Sequence, residues 1–251
     1  MDYRDLRRYV SNSGTAIGGS VDEATLHALN ECVERDAVSL FLLRHFYYRF
    51  EEPLRRIHRV SLTGDVERLY RYLTGAVSDV VLLDISNGCG VTTCLAFFKT
   101  SYDGPHVYGA GASLNPSHAA YRALAELLQL HLVARLELCR EEMSVASRSL
   151  LAFPALHRAF MFDVRELLRM PEIGVELVSA ELRGLREQIA DISKLLCSKG
   201  IRAGYCVLGQ SAQGVALVSV AIPAFERFFV VGTGNAVLPG ARGRSLEPAV
   251  S

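Results

Sequence analysis

Glu23, His27, Glu31 and Glu34 are spaced four, four and three residues apart in a segment that reads as helical. At about 100° per residue they fall at roughly 0°, 40°, 80° and 20° around the axis, so all four share one narrow stripe. Apolar Ala24, Leu29, Cys32, Val33 and Leu40 lie on other faces. Three stacked carboxylates repel, at roughly a few tenths of a kcal/mol for each like-charged pair. Arg35 offsets part of this. A divalent cation would offset it better, and hard carboxylate oxygens suit magnesium. Two readings of the stripe stand side by side. It is a solvated helix face, with Glu23 explained by helix capping, or it is a metal or phosphate site. A second pair, Glu126 and Gln129, is three residues apart in the apolar stretch AYRALAELLQLHLV and faces either a site or solvent.

Other chemistries lack their motifs. No G-x-x-x-x-G-K-[ST] is present; Gly209 to Gly214 has the outer glycines without the lysine and hydroxyl that should follow. There is no G-x-S-x-G elbow and no H-E-x-x-H among the seven histidines. The six cysteines form no C-x-x-C pair, and without an export signal reduced thiols are expected.

The stripe needs a long helix to carry it. Ser20-Val21-Asp22-Glu23 fits a capping box, which predicts a helix from Ser20 to about residue 49. A short helix is expected over 64–74. Asp79 to Ser86 (DVVLLDIS) has the length and composition of a buried strand, Asn87-Gly88 signals a turn, and Val91 to Lys99 is the returning strand. His106 to Leu114 reads as a strand with close-approach glycines. Pro116 opens a second long helix, to about Arg140. No element is predicted over 141–175. Leu182 to Ser198 is helical in period, with Gly200 as its stop. Arg202 to Leu208 and Val215 to Pro223 read as two strands. Interspersed helices and strands predict an α+β fold with a mixed sheet, as one domain over residues 1–251.

With 251 residues, half of them hydrophobic, and 27 basic against 27 acidic side chains, the chain can build a core and has no basic excess. A nucleic-acid partner is therefore not expected. The charge-free run from Ala203 to Phe225 is interrupted by Gly204, Gly209, Gly214 and Pro223, so no membrane span is expected. The expected location is cytoplasmic.

The stretch SNSGTAIGGSVDEATLHALNECVERDA, Ser11 to Ala37, resembles the YcaO family, matching it at Ser11-Asn12, Gly18, Glu23-Ala24, His27-Ala28-Leu29, Glu31 and Glu34-Arg35-Asp36-Ala37. A later segment is similar to the family's P-x-x-A-x-x-R-A-L-x-E-x-x-Q at Pro116, Arg122-Ala123-Leu124, Glu126 and Gln129. The resemblance implies ATP-dependent activation of a peptide amide, attacked by a nucleophile and phosphorylated on oxygen, to give an azoline or a related product. It implies ATP and Mg as cofactors. Glu23, Glu31 and Glu34 would hold the metal, and His27, Glu31, Arg35, Glu126 and Gln129 would contact the nucleotide. Gly19 stands where the family often has Asn, and His131 where it has Arg; Arg135 follows one turn later. The family's upstream nucleotide motif is not found. The implied role is an azoline-forming cyclodehydratase component that matures a ribosomally made peptide such as a bacteriocin. A partner subunit would supply the other half of the nucleotide site. The alternative is a non-catalytic scaffold or precursor-peptide-binding subunit. An unrelated soluble fold with an acidic surface is the third reading.

Overall fold

Ser20 sits in extended conformation, and its Oγ accepts the Glu23 N–H at 3.1 Å while Glu23 Oε2 accepts the Gly19 N–H at 2.8 Å. This reciprocal capping box opens helix α1, Val21–Leu42, which a π-helical turn continues over Leu43–Tyr47. The computed structural model describes residues 11–100, 104–181 and 183–247. Residues 1–10, 101–103 and 248–251 lie outside them, as does Leu182, the first residue of the helix expected over Leu182 to Ser198.

Helix α1 is buried on nearly every side. Against one side lies a small antiparallel sheet ordered β1-β8-β7, with β1 at Thr15–Gly18, β7 at Gly204–Gln210 and β8 at Ala216–Ala221. A five-stranded sheet is ordered β5-β4-β3-β2-β6. Its strands are β2 Leu54–Ile57, β3 Val80–Asp84, β4 Thr92–Phe98, β5 Tyr108–Ser113 and β6 Glu172–Val175. All its pairings are antiparallel except β2 with β6, so the mixed sheet is observed.

The continuous apolar run of β3 has a simple cause. Val81 and Leu83 enter one core with Leu95 and Phe97, whereas Val80 and Leu82 enter another with Cys94 and Ala96. A strand buried on both faces cannot alternate with polar residues. Helix α2, Gly64–Ala76, and helix α3, Pro116–Val133, belong to the second core. Helix α3 lies directly on β5, and the glycines make this approach: a Cβ on Gly109 would stand 2.2 Å from the Ala123 carbonyl, and one on Gly111 2.4 Å from that of Ala119.

The second long helix is shorter than expected. It ends at Val133, and Ala134 to Leu136 turn into a separate helix α4, Glu137–Leu150. The unassigned region 141–175 holds the rest of α4, then α5 (Pro154–Met161), α6 (Val164–Leu167) and β6. Helix α7 spans Leu185–Ser198. Strand β7 lies at the free edge of the small sheet, every residue exposed.

After β8, a 3-10 segment at Phe228–Thr233 leads to the short helix α8, Ala241–Arg244. Two buried carboxylates hold this end. Glu226 accepts the Gly240 N–H at 2.9 Å and the Gly243 N–H at 2.7 Å. Asp36 of α1 accepts the Glu226 N–H at 2.7 Å and faces Arg242 at 3.3 Å. Among the described residues no helix is long and apolar enough to cross a membrane.

Candidate functional site

Four of the seven residues singled out by sequence converge. Helix α1 presents Glu31, Glu34 and Arg35, and helix α3 presents Glu126. The Arg35 guanidinium lies 3.8 Å from Glu31, 3.6 Å from Glu34 and 3.8 Å from Glu126. Its cation also stands over the Phe229 ring at 5.6 Å. Burial works against the Arg35 charge, but Glu34, Glu126 and Glu31 outweigh it and raise its pKa. The cluster borders a cavity of about 550 Å³ between α1, α3 and α4, to which Glu31, Arg35, Tyr108, Glu126 and Phe229 contribute.

Two of the carboxylates are pinned by backbone. Glu126 Oε2 accepts the Ala110 N–H at 2.6 Å, in the middle of β5, where the flanking glycines let α3 come close. Glu31 Oε2 accepts the Gly14 N–H at 3.3 Å. Glu34 differs. It is only 3 % exposed, and burial above all, with Glu126 and Glu31 adding to it, pushes its carboxyl up to about 7 against the pull of Arg35 and Arg122. Beside the cluster, burial likewise pushes the Tyr108 hydroxyl up to about 12.

The other three residues stand apart from the cavity. Glu23 spends its carboxylate on the Gly19 N–H of the capping box. His27 is exposed further along α1, beside His118, whose pKa is lowered first by burial and then by Arg122 and His27. Gln129 is exposed on α3 and contributes nothing to the cavity wall. Sequence reasoning missed Tyr108 and Phe229. Tyr108 directly precedes the glycines of β5, but no local pattern distinguishes an aromatic wall of a site from ordinary core.

The donor chemistry fits magnesium and phosphate in part. Three carboxylates surround one guanidinium, which leaves carboxylate charge unanswered, and their hard oxygens suit magnesium. Among the described residues, however, no three His, Cys, Asp or Glu side chains are grouped to hold a metal ion by themselves. Arg35 lies among them instead.

The model of the YcaO cyclodehydratases, described as ATP- and Mg2+-binding, matches residues 2–226. Curated relatives include an uncharacterised protein of Methanothermobacter thermautotrophicus, 32% identical over 122 residues, or 47% of this chain and 30% of the relative. A protein encoded in the tfuA 3' region of Rhizobium leguminosarum bv. trifolii is 34% identical over 134 residues, 49% of this chain and 31% of its own length. The matches thus span about a third of these relatives. Among solved structures, YcaO from Methanopyrus kandleri bound with AMPPCP and Mg2+ superposes with a TM-score of 0.62 at 22% identity, over 91% of this chain and 59% of that one. The heterocyclase TruD gives 0.61 at 19% identity, over 87% and 30%. The E. coli microcin synthetase McbBCD complex with pro-MccB17 bound gives 0.52 at 17%, over 86% and 55%. At such identities the structural likeness is one of fold.

Proposed function

Because this chain belongs to the YcaO cyclodehydratase family, we propose that it is a component of an ATP- and Mg-dependent system that modifies a peptide backbone. Azoline formation in a ribosomally made precursor peptide, such as a bacteriocin, is the reaction we assign to that system. The observation that carries this reading is the cluster of Arg35 with Glu31 and Glu126 on the wall of a 550 Å³ cavity, with Glu34 buried against Arg35.

When bound, MgATP supplies the electrophilic phosphoryl group that captures the amide oxygen. The chain's own residues position and neutralise. Arg35 is held by three carboxylates and an aromatic ring, so its cation is oriented before any ligand arrives, and charge developing on a phosphoryl or amide oxygen meets a fixed counter-charge. Glu31 and Glu34 would supply hard oxygens to the metal, and Glu126, anchored on β5, would hold Arg35 from the α3 side. A complete coordination shell would need further donors, and we assign these to a partner subunit. Glu23, His27 and Gln129 belong in this proposal at the periphery, where the partner and the nucleotide would close over them.

The test has two parts. Calorimetry of the chain alone with ATP and magnesium should show weak or no binding; tight magnesium-dependent binding would refute the need for a partner. With the partner and precursor peptide added, Glu31→Gln or Glu34→Gln should lower ATP turnover by at least roughly a hundredfold while the melting temperature stays within a few degrees. Unchanged turnover would remove the cluster from the reaction. A second reading, a peptide-binding scaffold without turnover, draws on Arg35 lying among the carboxylates where a metal would otherwise be shared. It expects no turnover with any partner.

A further inference from the structure

A second and larger cavity, of about 710 Å³, adjoins the first, with which it shares Pro105, Ala134 and Met143. Its character is different. Arg135, just past α3, and Arg140 and Arg148 of α4 line it, and among the described residues its wall holds no carboxylate. Arg148 donates to the Ser144 hydroxyl at 2.7 Å; among the described residues no ion pair engages it, Arg135 or Arg140. Several guanidinium groups elsewhere are answered directly, as in Arg55 with Asp84, Arg56 with Glu172 and Arg186 with Asp22. Three guanidinium groups around one cavity repel one another, and an anion would relieve this.

The spacing narrows the anion. Arg140 and Arg148 are eight residues apart on one helix, about 12 Å along its axis. Two carboxylates about that far apart on one chain would give each arginine its own counter-ion. The distance matches carboxylates about four residues apart in an extended chain, which advances about 3.3 Å per residue and returns a side chain to the same face every second residue. Met143 and Met161 line the same cavity, and thioether side chains adapt to varied apolar partners. Exposed Leu132, Leu136 and Leu138 lie in the same stretch, from the end of α3 into α4.

We propose that this cavity binds an extended peptide segment in which Asp or Glu side chains, about four residues apart, are interleaved with apolar ones. The arginines take the carboxylates and the methionines take the apolar side chains. A segment so held continues through the shared wall at Pro105 and Ala134 toward Arg35 and Glu126. This inference deepens the peptide-modifying reading above and rests on it for the identity of the segment as substrate.

The test uses the full chain without nucleotide and the peptide fluoresceinyl-Glu-Leu-Ala-Leu-Glu-Leu-amide, followed by anisotropy at low salt. Saturable binding is expected. Arg140→Glu, Arg148→Glu and Arg135→Glu should each weaken it by at least roughly tenfold, as should raised salt. Arg202→Glu, at an exposed arginine before β7, should leave it unchanged. All four arginines are exposed, so the variants should fold, and matching thermal melts check this. Equal binding of the same peptide with Gln for Glu would overturn the proposal, and so would equal weakening by Arg202→Glu. Arginine-dependent binding of inorganic tripolyphosphate without binding of the peptide would make the cavity a phosphate site and overturn it as well. Because no nucleotide is present, failure here leaves ATP turnover standing, and failure of ATP turnover leaves this binding standing.

Discussion

Gly109→Ala should destabilise the protein strongly and displace Glu126. The added Cβ would lie 2.2 Å from the Ala123 carbonyl oxygen and 2.3 Å from the Leu127 nitrogen, both backbone atoms of α3 that no side-chain rotation can move. An ordinary contact of about 3.4 Å requires α3 to retreat by roughly 1.2 Å. Overpacking of this kind costs about 1–3 kcal/mol. The same retreat stretches the 2.6 Å bond from the Ala110 N–H to Glu126, a charge-assisted bond of about 1.5–3 kcal/mol. Together they amount to roughly 3–6 kcal/mol, against a total stability of about 5–15 kcal/mol for a domain. At about 2–4 °C per kcal/mol for a chain of this size, the melting temperature should fall by roughly 6–24 °C. Gly75→Ala is the matched control. Gly75 lies in α2 with nothing within 4 Å of its added Cβ, so this change should stabilise by about 0.5–1 kcal/mol. Both are measured by urea titration and thermal melting followed by circular dichroism. A loss below 1 kcal/mol in Gly109→Ala, or a loss in Gly75→Ala as large as that in Gly109→Ala, would refute the close-approach argument.

Three further outcomes follow from buried groups. His45 is buried against Phe41, and burial first, then Arg44, lowers its pKa to about 4, so the unfolded chain takes up a proton that the folded one refuses. Its contribution is therefore whole above about pH 6.5 and is lost as pH falls toward 4, by roughly 2–3 kcal/mol; urea titrations at pH 7.5 and 4.5 should show this slope, and His45→Phe should flatten it. Glu226→Ala leaves the N–H groups of Gly240, Gly243 and Arg227 without their acceptor, and should cost about 3–5 kcal/mol and expose the segment 239–247 to limited proteolysis before the body of the fold. Cys197 and Cys206 are exposed and should react with a thiol reagent in the native protein, whereas Cys32, its thiol pushed up to about 12 by burial, and fully buried Cys94 should react only on unfolding.

The site was legible in sequence where it lies on one helix. The 4, 4, 3 spacing and the capping box placed Glu31, Glu34 and Arg35 correctly on α1, because helical period is a local property. Strands β3 and β4 were legible for a similar reason, as runs long enough to be buried on both faces. Strands β1, β2 and β6 were not. Each is four residues long and partly polar, and each is held by a distant partner, Thr15 by Ser219 and Leu54 by Glu172. The break between α3 and α4 carries no glycine or proline, so no local signal marks it. The spacing of Glu126 and Gln129 left site and solvent both open, and only the family resemblance favoured the site, since the meeting of Glu126 with Arg35 depends on how closely α3 rides on β5. Arg35 was read as a partial offset to the stripe, and the structure makes it the centre of the cluster.

The pairing of β1 with β8 has a consequence for how the protein is made. Thr15 and Ser219 are 204 residues apart in the chain, yet they are hydrogen-bonded neighbours in the small sheet. Gly14, whose N–H reaches Glu31, has its carbonyl bonded by the Val220 N–H at 2.6 Å. Bringing such ends together costs about 5 kcal/mol of chain entropy by the logarithmic length term alone. A ribosome adding about 5–20 residues per second needs roughly 10–40 s to pass from one to the other. Through that interval β1 and the start of α1 wait without their sheet partner. Acquisition of the Glu31 end of the cluster is therefore a late folding event, timed by the arrival of β8, and the α3–β5 half can assemble well before it.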